Sequence, residues 1–222
     1  MSQVMFKAMS RVLAVAGVCA FALPGATYAA DTTDPLAAGK AIALQAKAQL
    51  GGELVQAINR EGTVGAVEFC NAQALAITED LSVKLGASIK RVSDRPRNVE
   101  NVASSAELRY IAMAKAALAD GRGAEPRMHE VDGKWVGYYP IVTNGLCLQC
   151  HGTPTVDVKG DTLSILAAKY PDDQALGYGV NELRGIWVIA MEKTGAHLED
   201  IVRTRIYLTD ASYQGEVARA HA

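Results

Sequence analysis

Arg127-Met128-His129-Glu130-Val131-Asp132-Gly133-Lys134-Trp135-Val136-Gly137-Tyr138-Tyr139-Pro140-Ile141-Val142 is the stretch whose reading decides the fold class. β-branched and aromatic residues dominate the second arm, and Asp132-Gly133 supplies the backbone freedom that a tight antiparallel turn needs. The stretch predicts a hairpin, Arg127–Val131 paired with Lys134–Val142. Helical signals precede it. Asp34-Pro35 reads as an N-cap followed by a first helical residue, and the Ala-rich run Leu36–Asn59 is a good helix former whose middle Gly51-Gly52 weakens. A second helix is expected from about Thr63 to Leu85, because Val64, Val67, Cys70, Ala74, Ile77 and Leu81 recur at steps of three and four. Ile89–Asp94 reads as a strand ended by Arg95-Pro96-Arg97-Asn98, and Ser104-Ser105-Ala106-Glu107 opens a third helix that stops near Asp120-Gly121. Thr162–Tyr170 is a further short helix, and Gly185–Met191 is an apolar run of strand length. Helices first, then strands interleaved with helices around an antiparallel hairpin, make an α+β chain.

Directly after the hairpin comes Cys147-Leu148-Gln149-Cys150-His151. Two thiols three positions apart with His next to the second form the attachment signature of c-type haem. Each thiol can add to one vinyl group, and the adjacent imidazole then lies against the iron. A redox Cys pair or half of a zinc site are the rival readings. Zinc is the weaker of these, since the chain has no second Cys-x-x-Cys and no His-x-x-x-His. One covalent haem c is the expected cofactor.

Covalent haem attachment in bacteria takes place outside the cytoplasm, and the N-terminus agrees. Lys7 and Arg11 precede the short apolar run Val12–Ala22, Pro24-Gly25 breaks it, and Thr27-Tyr28-Ala29 suits a cleavage site. Residues 1–29 are expected to be a signal peptide that sends the chain to the periplasm and carries Cys19 away. Two of the 22 Lys and Arg and none of the 24 Asp and Glu lie in that leader, which leaves a net charge of −4. Nothing in this balance suggests nucleic acid, and no second apolar stretch reaches membrane-spanning length. Three cysteines remain, so Cys70 is an odd thiol in an exported protein.

Taken by itself, Cys70 is a small apolar residue on a helix stripe. Met113, Met128 and His129 are the other candidates for the sixth iron position. Adjacent residues of a strand point to opposite faces, so only one of Met128 and His129 could face the iron. Arg91, Arg95 and Arg97 form the densest basic cluster and suit the haem propionates. Trp135, Tyr138, Tyr139 and Trp187 are candidates for the pocket wall, although strand aromatics usually belong to the core. No catalytic carboxylate pair and no Ser-His-Asp arrangement can be read, so an enzyme is not expected.

Several separated blocks resemble the PAS-like c-type haem domain family, known from cyanobacterial haem proteins and bacterial sensor proteins. They are Arg91-Val92-Ser93-Asp94-Arg95-Pro96-Arg97-Asn98 with Asn101, Tyr139-Pro140, Cys147–Gly152, Gly177-Tyr178 and Leu183-Arg184-Gly185. The resemblance covers about residues 35–192 and implies a PAS-like antiparallel sheet packed by helices, in a domain bounded near 33–193. It also implies an iron held by His151 and by a helix Cys, which here is Cys70 in Val67-Glu68-Phe69-Cys70-Asn71. A thiolate ligand favours ferric iron and a low potential, and by blocking the sixth position it argues against a peroxidase. The implied role is redox or gas sensing through a protein partner, with periplasmic electron transfer as the alternative. Residues 195–221 are instead similar to a fragment of the Rid imine/enamine deaminases. The fragment lacks the segment that carries that family's functional Arg, so residues 194–222 are expected to be a passive tail that packs poorly on the haem domain.

Overall fold

The computed structural model describes residues 34–193; the expected leader at 1–29 and the Rid-like stretch at 194–222 lie outside them. The α+β expectation holds. A long helical segment α1 (Pro35–Leu85) leads into β1 (Ser88–Val92), α2 (Ser105–Ala119), the hairpin β2 (Arg127–Val131) and β3 (Lys134–Val142), the short helices α3 (Gly145–His151) and α4 (Gly160–Lys169), and β4 (Leu183–Glu192). The four strands form one antiparallel sheet in the order β1-β4-β3-β2. No helix among the described residues is long and apolar enough to cross a membrane.

Local chemistry explains the element ends. Asp34 caps α1 by accepting the Leu36 N–H at 2.9 Å, with Pro35 at the first turn where no N–H is needed. Gly51-Gly52 does not break the helix. The break lies at Gly62, whose φ of 68° and ψ of −166° are open essentially only to glycine. It separates the two helices that the sequence suggested and turns the second half toward the sheet's end. Ser104 and Glu107 form the expected capping box on α2. The hairpin has the expected bounds, with Asp132 and Gly133 both at positive φ.

The run Gly185–Met191 in β4 is apolar throughout because both faces of the strand are covered. Trp187 and Ile189 pack with Ile89 and Tyr139 against Ala43, Ala46, Leu50 and Ala74 of α1. Ile186 and Val188 pack with Val92 and Tyr138 against Tyr110, Ile111 and Ala114 of α2. Successive strand residues therefore serve two different cores. A third cluster joins α4 to the second half of α1 through Val67, Val158, Leu166 and Tyr170, beside a 2.5 Å hydroxyl contact between Thr63 and Thr162. Together α1, α3, α4 and the β1–β4 edge enclose one end of the sheet.

Candidate functional site

A cavity of about 280 Å³ occupies that end, close to the lower bound for small-molecule and cofactor sites. Leu54 and Ile58 line it from the first half of α1, Ala66, Val67, Cys70, Ala74 and Leu75 from the second, and Ile141 and Leu146 from β3 and α3. Leu75 and Leu146 are 46% and 40% exposed, so the apolar wall reaches the surface at a mouth. Cys147, Cys150 and His151 line the same cavity, with Cys70. Elements far apart in the chain thus bring together all four residues expected to hold the haem.

The motif sits on α3 because Asn144 caps that helix, its side chain accepting the N–H groups of Leu146 and Cys147 at 3.0 and 3.3 Å. One helical turn separates the two thiols, so they share a face. The loop after α4 secures the other end of α3. Tyr178 N–H donates to the His151 carbonyl and Gly177 N–H to the Gly152 carbonyl, both at 2.9 Å. His151 Nδ1 lies 2.8 Å from the Ala175 carbonyl oxygen. A carbonyl can only accept, so Nδ1 carries the proton and Nε2 keeps the free lone pair, the tautomer a metal ligand requires. Burial, reinforced by the Arg184 and Arg97 guanidiniums, holds the imidazole well below its ordinary pKa and keeps it neutral. Burial pushes the Cys70 thiol up, and Arg91 and Arg97 pull against that shift.

The three expected arginines have different surroundings. Arg97 lines the cavity, but its Nε pairs with Asp173 at 2.9 Å and its Nη2 donates to the Cys150 carbonyl at 2.6 Å. It fastens α3 to the loop. Arg91 also lines the cavity, and the only contact found for its guanidinium among the described residues is the Trp187 ring, 5.5 Å away. Arg95 does not line it. Its donors go to the Gln174 and Leu176 carbonyls, and its guanidinium stacks 4.3 Å from the Tyr178 ring.

Arg184, which the sequence reading placed only within a matching block, does line the cavity. Its Nη1 donates to Ser93 Oγ at 3.0 Å and to the Arg95 carbonyl at 3.2 Å. Its signal in the sequence was a charge placed directly before the apolar run Gly185–Met191. The other sixth-position candidates point elsewhere. Met128 packs into the α1-side core, the His129 ring lies 4.8 Å from Tyr138, and Met113 is 45% exposed on α2. Trp135, Tyr138, Tyr139 and Trp187 are absent from the cavity lining as well.

Residues 7–191 match the family described as Tll0287-like. The chain belongs to the Tll0287-like family. Its fold is similar to that in the crystal structure of the cyanobacterial heme-protein Tll0287, with a TM-score of 0.53 and 18% identity over 74% of this chain and 99% of that one. A second similarity, 27% identity over 159 residues, is to a 5-methyltetrahydropteroyltriglutamate–homocysteine methyltransferase of Streptococcus gordonii. It covers 71% of this chain, and the chain spans 21% of that enzyme's length. The resemblance of residues 195–221 to Rid deaminases has no counterpart in these matches.

Proposed function

We propose that this chain is an exported, non-enzymatic, single-haem c-type protein of the periplasm that senses redox state, or a diatomic gas, and reports it to a protein partner. Cys147 and Cys150 are the thioether donors, His151 the proximal ligand and Cys70 the ligand on the opposite side. The observation that carries this reading is the meeting of these four side chains in one largely apolar cavity, with His151 Nδ1 tied to the Ala175 carbonyl. The residues present fit the group: two thiols one turn apart, an imidazole with Nε2 free, a thiol across the cavity, and guanidiniums for its propionates. When bound, the haem supplies a one-electron Fe(III)/Fe(II) couple. The chain's own residues orient the imidazole, exclude water with the α1 wall and present the Cys70 sulfur. Arg91, with no ion-pair partner among the described residues, is the best placed of the arginines to meet a propionate or the Cys70 thiolate.

Thiolate ligation stabilises ferric iron and lowers the potential, which suits a sensor. The alternative, an electron carrier with a Met sixth ligand, needs Met113 or Met128 to reach the cavity, and neither lines it. Potentiometric titration with absorption and EPR spectra tests the proposal. A low-spin ferric His/thiolate signature at a very negative potential is expected, and Cys70→Ala should change the spectrum while thioether-bound haem remains. A high-potential Met-type spectrum, or one unaltered by Cys70→Ala, would overturn it.

A further inference from the structure

Behind His151, on the side away from the free Nε2, stands the guanidinium of Arg184. Its Nε lies 3.3 Å from His151 Nδ1. That nitrogen already faces the Ala175 carbonyl at 2.8 Å, and it cannot both donate to the carbonyl and accept from the guanidinium. The shorter contact, to an obligate acceptor, fixes the proton on Nδ1. Arg184 is therefore an electrostatic and steric neighbour of the ring, and its hydrogen bonds go elsewhere. Ser93 Oγ and the Arg95 carbonyl hold Nη1, and the Tyr178 ring lies 5.4 Å from the guanidinium carbon. The same Tyr178 ring meets the imidazole edge-on, 6.3 Å between centroids at 84°. Asp173, the nearby carboxylate, is engaged by Arg97.

We propose that Arg184 is a positioning residue for His151. It fixes the orientation of the imidazole ring and places a permanent positive charge behind it, holding the reduction potential above the value that a His/thiolate pair alone would give. This rests on the reading above that His151 ligates the iron. Arginine stays charged at any working pH. Inside a partly buried site that charge acts through a lower effective dielectric than water. Ferric iron carries one positive charge more than ferrous, so a fixed cation behind the ligand favours the ferrous state. The same guanidinium limits rotation of the ring, since turning Nδ1 off the Ala175 carbonyl brings an N–H donor against an N–H donor. Lysine would keep the charge and lose the planar fork that Ser93 and Arg95 hold in place.

The test compares Arg184→Gln, Arg184→Lys and Ser93→Ala in the haem-loaded full chain. Arg184→Gln is expected to move the oxidised-to-reduced ratio about tenfold toward oxidised at a fixed ambient potential, a midpoint roughly 59 mV more negative for one electron. Arg184→Lys and Ser93→Ala should leave the midpoint near that of the parent and broaden or shift the EPR signal, which reads ring orientation. A midpoint in Arg184→Gln equal to or above the parent overturns the charge role, and unchanged EPR in both charge-retaining variants overturns the positioning role. If Arg184→Gln loads no haem, the two charge-retaining variants still decide the positioning role. Haem content separates this proposal from the one it rests on. If the parent chain binds no covalent haem, the ligation reading fails, and ¹⁵N–¹H NMR of His151 in the haem-free chain decides for Arg184. A shifted Nδ1 resonance in Arg184→Gln supports the contact, and an unmoved one refutes it.

Discussion

Replacing Gly62 by Ala isolates a single backbone term. At φ 68° and ψ −166° this residue occupies a region that L side chains essentially do not enter, and a Cβ built there meets nothing within 4 Å. The expected cost is therefore conformational strain alone, of order 1–3 kcal/mol. Gly51 and Gly52 are internal controls, because they lie in regular helix and their Cβ positions are also open. Alanine at either should stabilise by about 0.5–1 kcal/mol, through helix propensity and a less flexible unfolded chain. For a domain of this size, 1 kcal/mol moves Tm by roughly 2–4 °C. Gly62→Ala at a cost of about 2 kcal/mol should thus melt roughly 4–8 °C lower, while Gly51→Ala and Gly52→Ala should melt about 1–4 °C higher. The assay is thermal or urea unfolding of the three variants beside the parent. Because the kink aims the second half of α1, Gly62→Ala should also disturb the spectrum of any group bound to Cys70, and the controls should not. If Gly62→Ala is neutral or stabilising, the segment can run straight and the account of how Cys70 reaches the cavity is wrong.

Asp173→Asn removes one charge from the ion pair with Arg97, whose side chains are 7% and 12% exposed, and keeps an oxygen for the Ala175 N–H that Asp173 accepts at 2.8 Å. Stranding the Arg97 charge should cost about 3–5 kcal/mol in urea unfolding; a loss below about 1 kcal/mol would show that water already screens the pair. Glu107 supplies a pH signature. Its burial opposes ionisation, but hydrogen bonds from Lys90 and Ser104 outweigh that and hold its pKa below the usual carboxylate value. A depressed carboxylate stabilises the fold above its unfolded pKa of about 4.3, and this contribution is lost as pH falls through the native value. The stability gap between the parent and Glu107→Gln should therefore shrink on acidification from about pH 5 toward 3. A gap that stays constant over that range refutes the assignment.

Where structure depends on residues close in sequence, the chain could be read directly. The Asp132-Gly133 turn set the hairpin to the residue, Asp34-Pro35 set the start of α1, and the Ser104–Glu107 box set the start of α2. The break expected between Asn59 and Thr63 falls at Gly62; Gly51-Gly52 has a composition that weakens a helix, yet only Gly62 has the backbone angles that end one. Long-range register was not legible. Arg91, Arg95 and Arg97 look alike as a cluster, but the β1–β4 pairing and the loop at 173–178 give each a different partner. The same pairing carries Arg184 to Ser93, 91 positions away in the chain, and makes it part of the site. The strand aromatics were uncertain for a related reason. A one-sided sheet would have left a face for them to present to a ligand, whereas helices cover both faces and take Tyr138, Tyr139 and Trp187 into two cores.

The two sides of the cavity are held by unlike forces, and this bears on how such a site could switch. On the His151 side the restraints are directional: the Nδ1–Ala175 bond, two backbone bonds from Gly177 and Tyr178, and the Arg97–Asp173 pair beneath Cys150. The two backbone bonds are lost only by moving the loop itself. On the Cys70 side the helix is kept in place mainly by apolar packing against α4 and the sheet, with the Thr63–Thr162 contact near the kink. Packing of that kind is non-directional, whereas a buried polar network left partly unpaired carries a desolvation cost. Two covalent bonds from Cys147 and Cys150 would hold the haem to α3 whatever α1 does. If the haem is bound as proposed, the side left free to respond would be the Cys70 side, and α1 would be the element that carries such a response.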